Sequence, residues 1–372
     1  MKIIVAGDYY PCARVARLFD QGDYAAVLGY IKPIVSKADY AIANFECAVC
    51  KGGEQPLEKF GPNIKCGVSG VEALKWAGFH CVTLANNHFL DYGKRGVENA
   101  LEACQKHALD TVGGGKDLQA ASSVLYKTVG SKTLAVINCC EHEFSIATEH
   151  TAGSNPLNPI AQYYDIIEAR GKADYVLVIV HGGHELWQLP SPRMKQTYQF
   201  FIDAGADAVV NHHQHCFSGY EYYKGKPIVY GLGNFCFDRQ HFYEGLWEYG
   251  YMAEIDTATN ALTLFPYEQC KGQPTVRLMD DRQEFDEQIG KLNAIIADNG
   301  RLKEAANSYY SQQKRRFAMP LQPYSNNFLR KLFMKGILPS LVSKKRELFL
   351  ADRIMMESHR DIFVHTLTHH DE

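Results

Sequence analysis

The sequence lacks any long hydrophobic run. No part of it approaches the roughly 18 uninterrupted apolar residues that a membrane-spanning helix needs. The N-terminal stretch Met1–Val5 leads into Gly7-Asp8 without the apolar core or small-residue cleavage site of a signal peptide. We therefore expect a cytoplasmic protein.

The chain also lacks an excess of charge of either sign. Its formal net charge is -3 and its pI is near 6.6, so nothing indicates nucleic acid as a partner. Cysteine is frequent, with 11 residues, but zinc-ribbon spacing is absent because Cys47-Ala-Val-Cys50 has no second pair after it. In a reducing compartment these thiols are expected to be structural.

Short apolar runs alternate with amphipathic stretches over the first two-thirds of the chain, which predicts an α/β fold. The candidate strands are rich in Val, Ile, Leu and Ala, as in strands buried on both faces: Lys2–Ala6, Tyr40–Asn44, His80–Ala85, Leu134–Asn138, Tyr175–His181 and Ala208–Asn211. The candidate helices between them are Tyr24–Ala38, Val71–Ala77, Gly93–His107, Ala161–Arg170 and Arg193–Ala204. From Phe217 onward the pattern indicates hairpins, with strands at Phe217–Tyr223, Pro227–Gly231, Tyr249–Asp256 and Ala261–Tyr267.

Beyond residue 272 the strand signals stop, so we predict one domain over 1–272 and a helical region over 273–372. Its candidate helices are Asp281–Ala297, Leu302–Lys314, Asn327–Lys335 and Pro339–Met356. Lys and Arg greatly outnumber Asp and Glu between Arg301 and Arg353. Such basic helices can lie on an anionic membrane surface or contact a partner protein such as a synthase. Alternatively, their apolar residues pack on the first domain while the charges are solvated.

Polar clusters follow the candidate strands, where ligands bind in open α/β sheets. Each cluster alone has an ordinary explanation as a cap, a turn or a satisfied histidine. Together, carboxylate, amide and imidazole groups at successive strand ends are typical of a divalent-metal site. Two such ions about 3.5–4 Å apart form the arrangement that cleaves phosphoesters. The clusters contain Asp8, Asn44, Glu46, Asn87, His88, Asp91, His181, Glu185, His213 and His215.

The same clusters resemble the CapA (PgsA-like) poly-γ-glutamate capsule biosynthesis family, a branch of the calcineurin-like metallophosphoesterases. The matching stretches, in family order over roughly residues 1–270, are Ala6–Asp8, Ala43–Glu46, Leu84–His88 with Asp91–Gly93, His181–Gly183 with Glu185, His212–His215 and, most strongly, Gly225–Asp238. The resemblance implies a four-layer α/β/β/α sandwich, to which the C-terminal helices are an appendage.

The resemblance also implies how one or two divalent ions, Mn, Zn or Fe, are held. Asp8, Glu46 and His215 would bind one ion. A second would be bound by Asn87, His181 and His213, with Glu46 bridging the two.

For catalysis the resemblance implies His88 as the imidazole acid and Asp91 as the group that orients it. A metal-bound hydroxide would attack phosphorus while His88 protonates the leaving oxygen. Asn44, Glu185 and Asn234 are candidates for binding the substrate.

The sequence departs from the superfamily pattern at several ligand positions. Other metallophosphoesterases have Asp-x-His at the first strand, whereas here Tyr10 stands in the histidine position. Glu46 replaces an aspartate, Asn211 replaces a glycine and Gln214 replaces a proline. We therefore expect a metal pair that is weaker, asymmetric or reduced to one ion.

Three functions remain open on this basis. The first is a metal-dependent hydrolase of capsule or exopolymer biosynthesis that acts on an anionic small-molecule or polymer substrate. The second is a non-catalytic assembly factor that docks on a synthase or membrane through the basic helices. The third is a nucleotide or nucleic-acid phosphoesterase, which rests on superfamily analogy alone.

Overall fold

The computed structural model describes residues 1–239 and 245–368, which form two compact units, Met1–Lys303 and Glu304–Glu372. The helix at Gln283–Ala297 therefore lies in the first unit. The domain boundary proposed after residue 272 stays a prediction.

The strands are short, and most belong to two sheets. In chain order they are β1 (Lys2–Tyr10), β2 (Tyr40–Phe45), β3 (Ala48–Val49), β4 (Lys65–Cys66), β5 (Cys81–Thr83), β6 (Asp110–Val112), β7 (Gly114–Gly115), β8 (Leu125–Val129), β9 (Lys132–Cys140), β10 (Gly153–Ser154), β11 (Tyr175–His181), β12 (Ala208–His212), β13 (Tyr220–Tyr223), β14 (Lys226–Val229), β15 (Asn234–Phe237), β16 (Tyr249–Asp256), β17 (Ala261–Gln269) and β18 (Val276–Leu278).

The helices divide between the two units. They are α1 (Ala13–Asp20), α2 (Tyr24–Leu28), α3 (Lys32–Val35), α4 (Val68–Ala77), α5 (Gly93–Lys106), α6 (Leu118–Ala121), α7 (Pro159–Arg170), α8 (Pro192–Ala204), α9 (Gln283–Ala297), α10 (Asn299–Ala318), α11 (Asn327–Met334), α12 (Lys344–Met355) and α13 (Glu357–Thr368). Short 3₁₀ turns occur at Leu246–Glu248 and Met319–Leu321.

The larger sheet has the order β18-β17-β16-β1-β2-β5-β6, and β15 pairs with the end of β1. The smaller has the order β13-β14-β12-β11-β9-β8. In the larger sheet β1, β2, β5 and β6 are parallel and β16–β18 form an antiparallel side. In the smaller sheet the central strands β9, β11, β12 and β14 are parallel and both edge strands, β8 and β13, are antiparallel. Parallel strands need cover on both faces, which accounts for their continuous apolar sequences.

Alternation along β1 shows how the sheets stack. Ile4 and Ala6 belong to the hydrophobic core shared with α1, α4 and α5. Ile3 and Val5 point the other way on a strand and are also fully buried. The smaller sheet covers that second face, and it is covered in turn by α7 and α8. The result is the four-layer α/β/β/α arrangement that the family resemblance implied.

Two predicted helices are wrong in their extent, and for Pro339–Met356 the helix begins only at Lys344, after the Ser343 cap. The stretch Tyr24–Ala38 forms two helices, α2 and α3, separated by a turn at Gly29–Ile31. Pro33 lies in the first turn of α3, where its missing N–H costs nothing, whereas inside a continuous helix it would remove a hydrogen bond.

A glycine contact shapes the end of β1. A Cβ atom on Gly7 would lie 1.9 Å from the carbonyl oxygen of Gly233, so only glycine permits this approach. The register of β1 shifts between Ala6 and Asp8, and the Asp8 N–H donates to the Gly233 carbonyl at 3.1 Å. This irregularity brings Asp8 to the edge where β2, β11 and β12 also end.

The second unit consists of the remainder of α10 and of α11–α13. Phe333 is its best-buried aromatic residue and packs on Tyr324 with ring centroids 5.7 Å apart. Arg315 lies over the Phe333 ring and donates to its carbonyl at 3.0 Å. Across the described residues of the chain, none of the helices combines the length and apolarity that crossing a bilayer requires.

Candidate metal centre

Glu46 is the most unusual side chain of the fold. It follows β2, its backbone N–H donates to the Tyr9 carbonyl at 3.0 Å, and the residue is fully buried. Neither carboxylate oxygen has a hydrogen-bond partner among the described residues. An isolated buried carboxylate is costly unless a proton or a cation compensates it.

Imidazoles surround this carboxylate. His181 at the end of β11 and His215 beyond β12 each place Nε2 3.7 Å from Glu46 Oε1. Two groups of side chains could each hold an ion, with ligand atoms within 4.8 Å of one another: Glu46 with His181 and His213, and Asp8 with Glu46 and His215. Glu46 belongs to both groups, which is the geometry that a bridging ligand requires.

The imidazole nitrogens of the first group converge. His181 Nε2 lies 3.0 Å from His213 Nδ1 and 3.0 Å from the amide oxygen of Asn87. Two nitrogen lone pairs cannot face each other at this distance without a proton or a cation between them. Burial and the neighbouring His213 hold the pKa of His181 well below its usual value, so the neutral, ligating form is favoured.

The loop after β12 is strained around its ligands. His213 and His215 have φ angles of 90° and 54°, which residues other than glycine rarely adopt. Asn211 stabilises the loop, because its amide donates to the carbonyls of Gly182, His212 and Tyr230. The asparagine that replaces the family's glycine therefore anchors the bend, and strain of this kind is concentrated at functional sites.

Asp8 is held from several sides. It accepts hydrogen bonds from Asn44 Nδ2 at 2.8 Å and from the His213 backbone N–H at 3.1 Å. His212 Nδ1 lies 3.4 Å from Asp8 Oδ1. Burial alone would raise the pKa of Asp8, but the contact with His212, aided by the neighbouring His215 and His181, outweighs burial and lowers it. Asp8 is therefore ionised as a ligand must be.

Asn44 and Asn234, both predicted to bind substrate, are fully buried beside the ligands. Asn234 Oδ1 lies 2.9 Å from His215 Nδ1, so it can accept that N–H and leave Nε2 free to bind an ion. Asn44 Nδ2 contacts both Asp8 and His181 Nδ1, the latter at 3.2 Å. These contacts give both asparagines a positioning role. Substrate binding by them stays a prediction.

Glu185, the third residue predicted to bind substrate, is exposed. Its negative charge adds to the effect of burial and Asp8 that raises the pKa of Glu46, and it opposes the burial that lowers the pKa of His215. It therefore lies close enough to affect the centre electrostatically. Its contact with substrate stays a prediction.

His88 and Asp91 form a pair next to the metal-ligand candidates. His88 Nδ1 donates to Asp91 Oδ2 at 2.7 Å, and the Ile64 backbone N–H donates to the same oxygen at 2.7 Å. The Lys59 ammonium pairs with the other oxygen of Asp91. It also lies 3.4 Å from His88 Nδ1 and 3.5 Å from the Asn87 carbonyl oxygen. Asp91 thus holds the Nδ1–H of His88, and Nε2 is the ring nitrogen that can accept or donate a proton.

Two residues of this neighbourhood, Lys59 and His212, were not predicted from the sequence. The Lys59 side chain is only 3% exposed, yet it comes from an irregular loop with no motif around it. His212 is buried, and neither of its ring nitrogens has a hydrogen-bond partner among the described residues. Its position in the His212–His215 cluster was a usable signal, because every histidine of that cluster ends or follows β12 at the site.

The donor set fits divalent cations. Carboxylate, amide oxygen and neutral imidazole suit Mn, Zn or Fe, and thiols take no part. The unpartnered oxygens of Glu46 and the facing nitrogens of His181 and His213 are the features that a cation would satisfy.

We predict opposite effects of Glu46→Gln with and without metal. Burial and Asp8 raise the pKa of Glu46, so the folded chain holds this proton more tightly than the unfolded chain does. Without metal, wild type should therefore lose stability as pH rises above the usual glutamate range, and the glutamine variant should be spared that loss. At a metal concentration 100 times Kd, wild type should gain about 2.7 kcal/mol, while the variant gains little.

Thermal unfolding between pH 5 and 8, with chelator and then with Mn²⁺ or Zn²⁺, measures both effects. Glu58→Gln is the control because Glu58 is an exposed glutamate. Equal metal stabilisation of the Glu46→Gln variant and of wild type would rule out Glu46 as a ligand.

Comparison with known proteins identifies the family. The profile of the family described as "Bacterial capsule synthesis protein PGA_cap" matches residues 2–239. "Capsule biosynthesis protein CapA" of Bacillus anthracis is 32% identical over 247 residues, covering 64% of this chain and 60% of that protein. "PGA biosynthesis protein CapA" of Bacillus subtilis (strain 168) is 32% identical over 236 residues, covering 63% and 62%. The match therefore spans about three-fifths of the length of these relatives.

Among solved structures, a phosphatase from Mycoplasma pneumoniae covers 78% of this chain and 98% of its own at a TM-score of 0.42 and 17% identity, too low a similarity to support a statement about function. The profile match covers well over half of the sequence and contains every ligand candidate described above. The chain belongs to the bacterial capsule synthesis protein family.

Proposed function

We propose that the protein is a metal-dependent hydrolase of capsule or exopolymer biosynthesis, acting on a phosphoester or a polymer intermediate. The observation that carries this proposal is the buried, unpartnered Glu46 carboxylate among imidazoles, next to the His88–Asp91 pair. The capsule-related names of the relatives support the biological setting. A poly-γ-glutamate-like polymer or a polysaccharide is the substrate class that we propose.

Each residue has a defined task in this proposal. The groups of Asp8, Glu46 and His215 and of Glu46, Asn87, His181 and His213 would hold the cations. Bound divalent ions would supply Lewis acidity and lower the pKa of a water molecule. Asn44 and Asn234 keep the ligand side chains in orientation through the contacts described above.

His88 would handle the proton. Its Nδ1–H donates to Asp91, which fixes the orientation of the ring. The second ring nitrogen can therefore give a proton to a leaving oxygen and recover it afterwards. Lys59 and the Ile64 N–H hold Asp91 in place, so that the imidazole orientation is fixed before a substrate arrives.

We expect His88→Gln to lower kcat by about 10²- to 10⁴-fold, the usual contribution of a positioned acid or base. Hydrolysis of bis(p-nitrophenyl) phosphate and a panel of phosphomonoesters by the Mn²⁺-loaded protein measures this effect. Metal content should stay unchanged, because the imidazole is not among the ligand candidates. His150→Gln is the matched control, since His150 is exposed.

Two results would contradict the proposal at different points. Full activity of the His88→Gln variant would remove the proton role of His88. A metal-loaded wild type that cleaves neither a phosphoester of the panel nor poly-γ-glutamate or a capsule polysaccharide would overturn the hydrolase itself.

A second candidate function, a non-catalytic assembly factor, is favoured by a separate observation. Helices α12 and α13 expose large apolar side chains within the second unit: Leu348, Phe349, Ile354, Met355, Ile362 and Leu367. Lys344, Lys345 and Arg346 open α12. Exposed apolar side chains together with clustered cations match an anionic bilayer surface, and we propose this as the docking partner.

Vesicle sedimentation of the full chain tests the docking. Clustered Lys and Arg contribute about 1 kcal/mol each near an anionic surface. The triple variant Lys344→Glu, Lys345→Glu and Arg346→Glu should therefore bind phosphatidylglycerol vesicles at least 10-fold more weakly. Phosphatidylcholine vesicles are the control. Equal binding to both lipids, or no effect of the triple variant, would contradict membrane docking and leave a protein partner or solvated helices. The cytoplasmic location stays a prediction.

A further inference from the structure

Arg239 follows β15 at the edge of the metal centre and lies on an aromatic wall. Its guanidinium carbon is 5.1 Å from the Phe237 ring centroid and 5.9 Å from that of Trp247. These two rings pack together at 4.8 Å, and both contact the His215 ring, at 5.3 and 4.9 Å. The Phe237 and Trp247 rings therefore lie between the Arg239 guanidinium and His215, a metal-ligand candidate.

Arg14, which lies nearby, has a structural role because protein groups occupy its donors. Arg14 forms a two-pronged ion pair with Asp238 and donates to the carbonyls of Cys270 and Gly272. Asp238 is the acidic residue adjacent to Arg239 in sequence, and it is already occupied by Arg14. Arg239 itself forms no ion pair or side-chain hydrogen bond with any residue in 1–239 or 245–368. It is only half-buried, so its donors remain accessible.

The charge of Arg239 is felt at the centre of the site. It acts electrostatically on the Glu46 carboxyl group, which lies at that centre. A guanidinium that stacks on aromatic rings is held in one orientation, and its planar fork matches the two oxygens of a carboxylate or a phosphate. Asp8, Glu185 and Glu143 all act on this centre as negative charges, so a cation at its rim favours the approach of an anion.

We propose that Arg239 forms an oxyanion subsite, which binds a phosphoryl or carboxylate group of the molecule processed at the metal centre. The inference rests on the proposed function, because the oxyanion belongs to that molecule. Phe237 and Trp247 position the guanidinium, and both rings contact His215, which would bind a metal ion. The subsite gives the site its preference for anionic substrates.

Calorimetric titration of the Mn²⁺-loaded full chain tests the subsite, with orthophosphate and glutarate as the probes. Loss of a charged, two-pronged hydrogen bond should weaken binding of the recognised probe about 10-fold or more in Arg239→Gln. Arg239→Lys keeps the charge but loses the planar, two-pronged donor, so its affinity for the probe should lie between those of Arg239→Gln and wild type. Arg277→Gln, an exposed arginine on β18, is the matched control and should bind as wild type does.

The two probes separate the sources of the oxyanion. Weaker binding of orthophosphate alone identifies a phosphoryl group, and weaker binding of glutarate alone identifies a carboxylate. Binding of both probes by Arg239→Gln as tightly as by wild type, at equal metal content, overturns the subsite, as does a wild type that binds neither probe.

Turnover distinguishes this inference from the proposed function. With an active wild type, Arg239→Gln should raise KM for an anionic phosphoester while kcat changes little, as expected for lost uniform binding. Unchanged KM would overturn the subsite and leave the hydrolase intact. Absent turnover together with Arg239-dependent probe binding would overturn the hydrolase and leave the subsite.

Discussion

The burial of the Glu46 carboxylate without a hydrogen-bond donor is the constraint on which the rest of the site depends. A charge in this position destabilises the fold unless something positive sits beside it. The chain supplies no lysine or arginine contact to either of its oxygens among the described residues. It supplies instead neutral imidazoles whose nitrogens point toward the carboxylate. That combination makes the metal-free fold less stable, and binding of a divalent ion would remove this destabilisation.

Backbone features far apart in sequence serve this one constraint. The Gly7–Gly233 approach bends β1 so that Asp8 reaches the edge where β2 ends. The left-handed conformations of His213 and His215 turn both rings back over that edge. At these positions the fold imposes backbone conformations that the residues do not prefer, and the metal-ligand candidates Asp8, His213 and His215 lie there. Such conflicts between local and global preference are expected at functional sites.

Much of this architecture could be predicted from sequence, because buried strands carry continuous apolar runs. The bounds of β11 and β16 were predicted to the residue, and each ligand candidate follows a predicted strand. In the two main sheets strands β6, β8, β15 and β18 were missed, as were helices α1, α6 and α13. Phe237 and its neighbours in β15 carry no periodic pattern, and their pairing with β1 joins residues distant in sequence.

The residues of the site that sequence could not predict share a physical cause. Lys59 meets Asp91 across an irregular loop, and Arg239 is defined by ring contacts with Phe237 and Trp247. Neither relation has a spacing that could be recognised in the chain. The sequence lacks the usual histidine two residues after Asp8, but the fold brings another imidazole to that carboxylate. Tyr10 stands where the histidine would be, yet His212 approaches Asp8 from β12. An ion held by Asp8, Glu46 and His215 would therefore have the His212 imidazole beside it.

The most direct test of a cation at Glu46 is anomalous diffraction at the zinc edge, from crystals of the full chain grown with Zn²⁺. We predict at least one anomalous peak about 2.0–2.2 Å from a Glu46 carboxylate oxygen and at similar distance from an imidazole nitrogen of His181, His213 or His215. A second peak sharing Glu46 would establish the bridging role. Zinc bound only elsewhere, with no peak beside Glu46, would contradict the account.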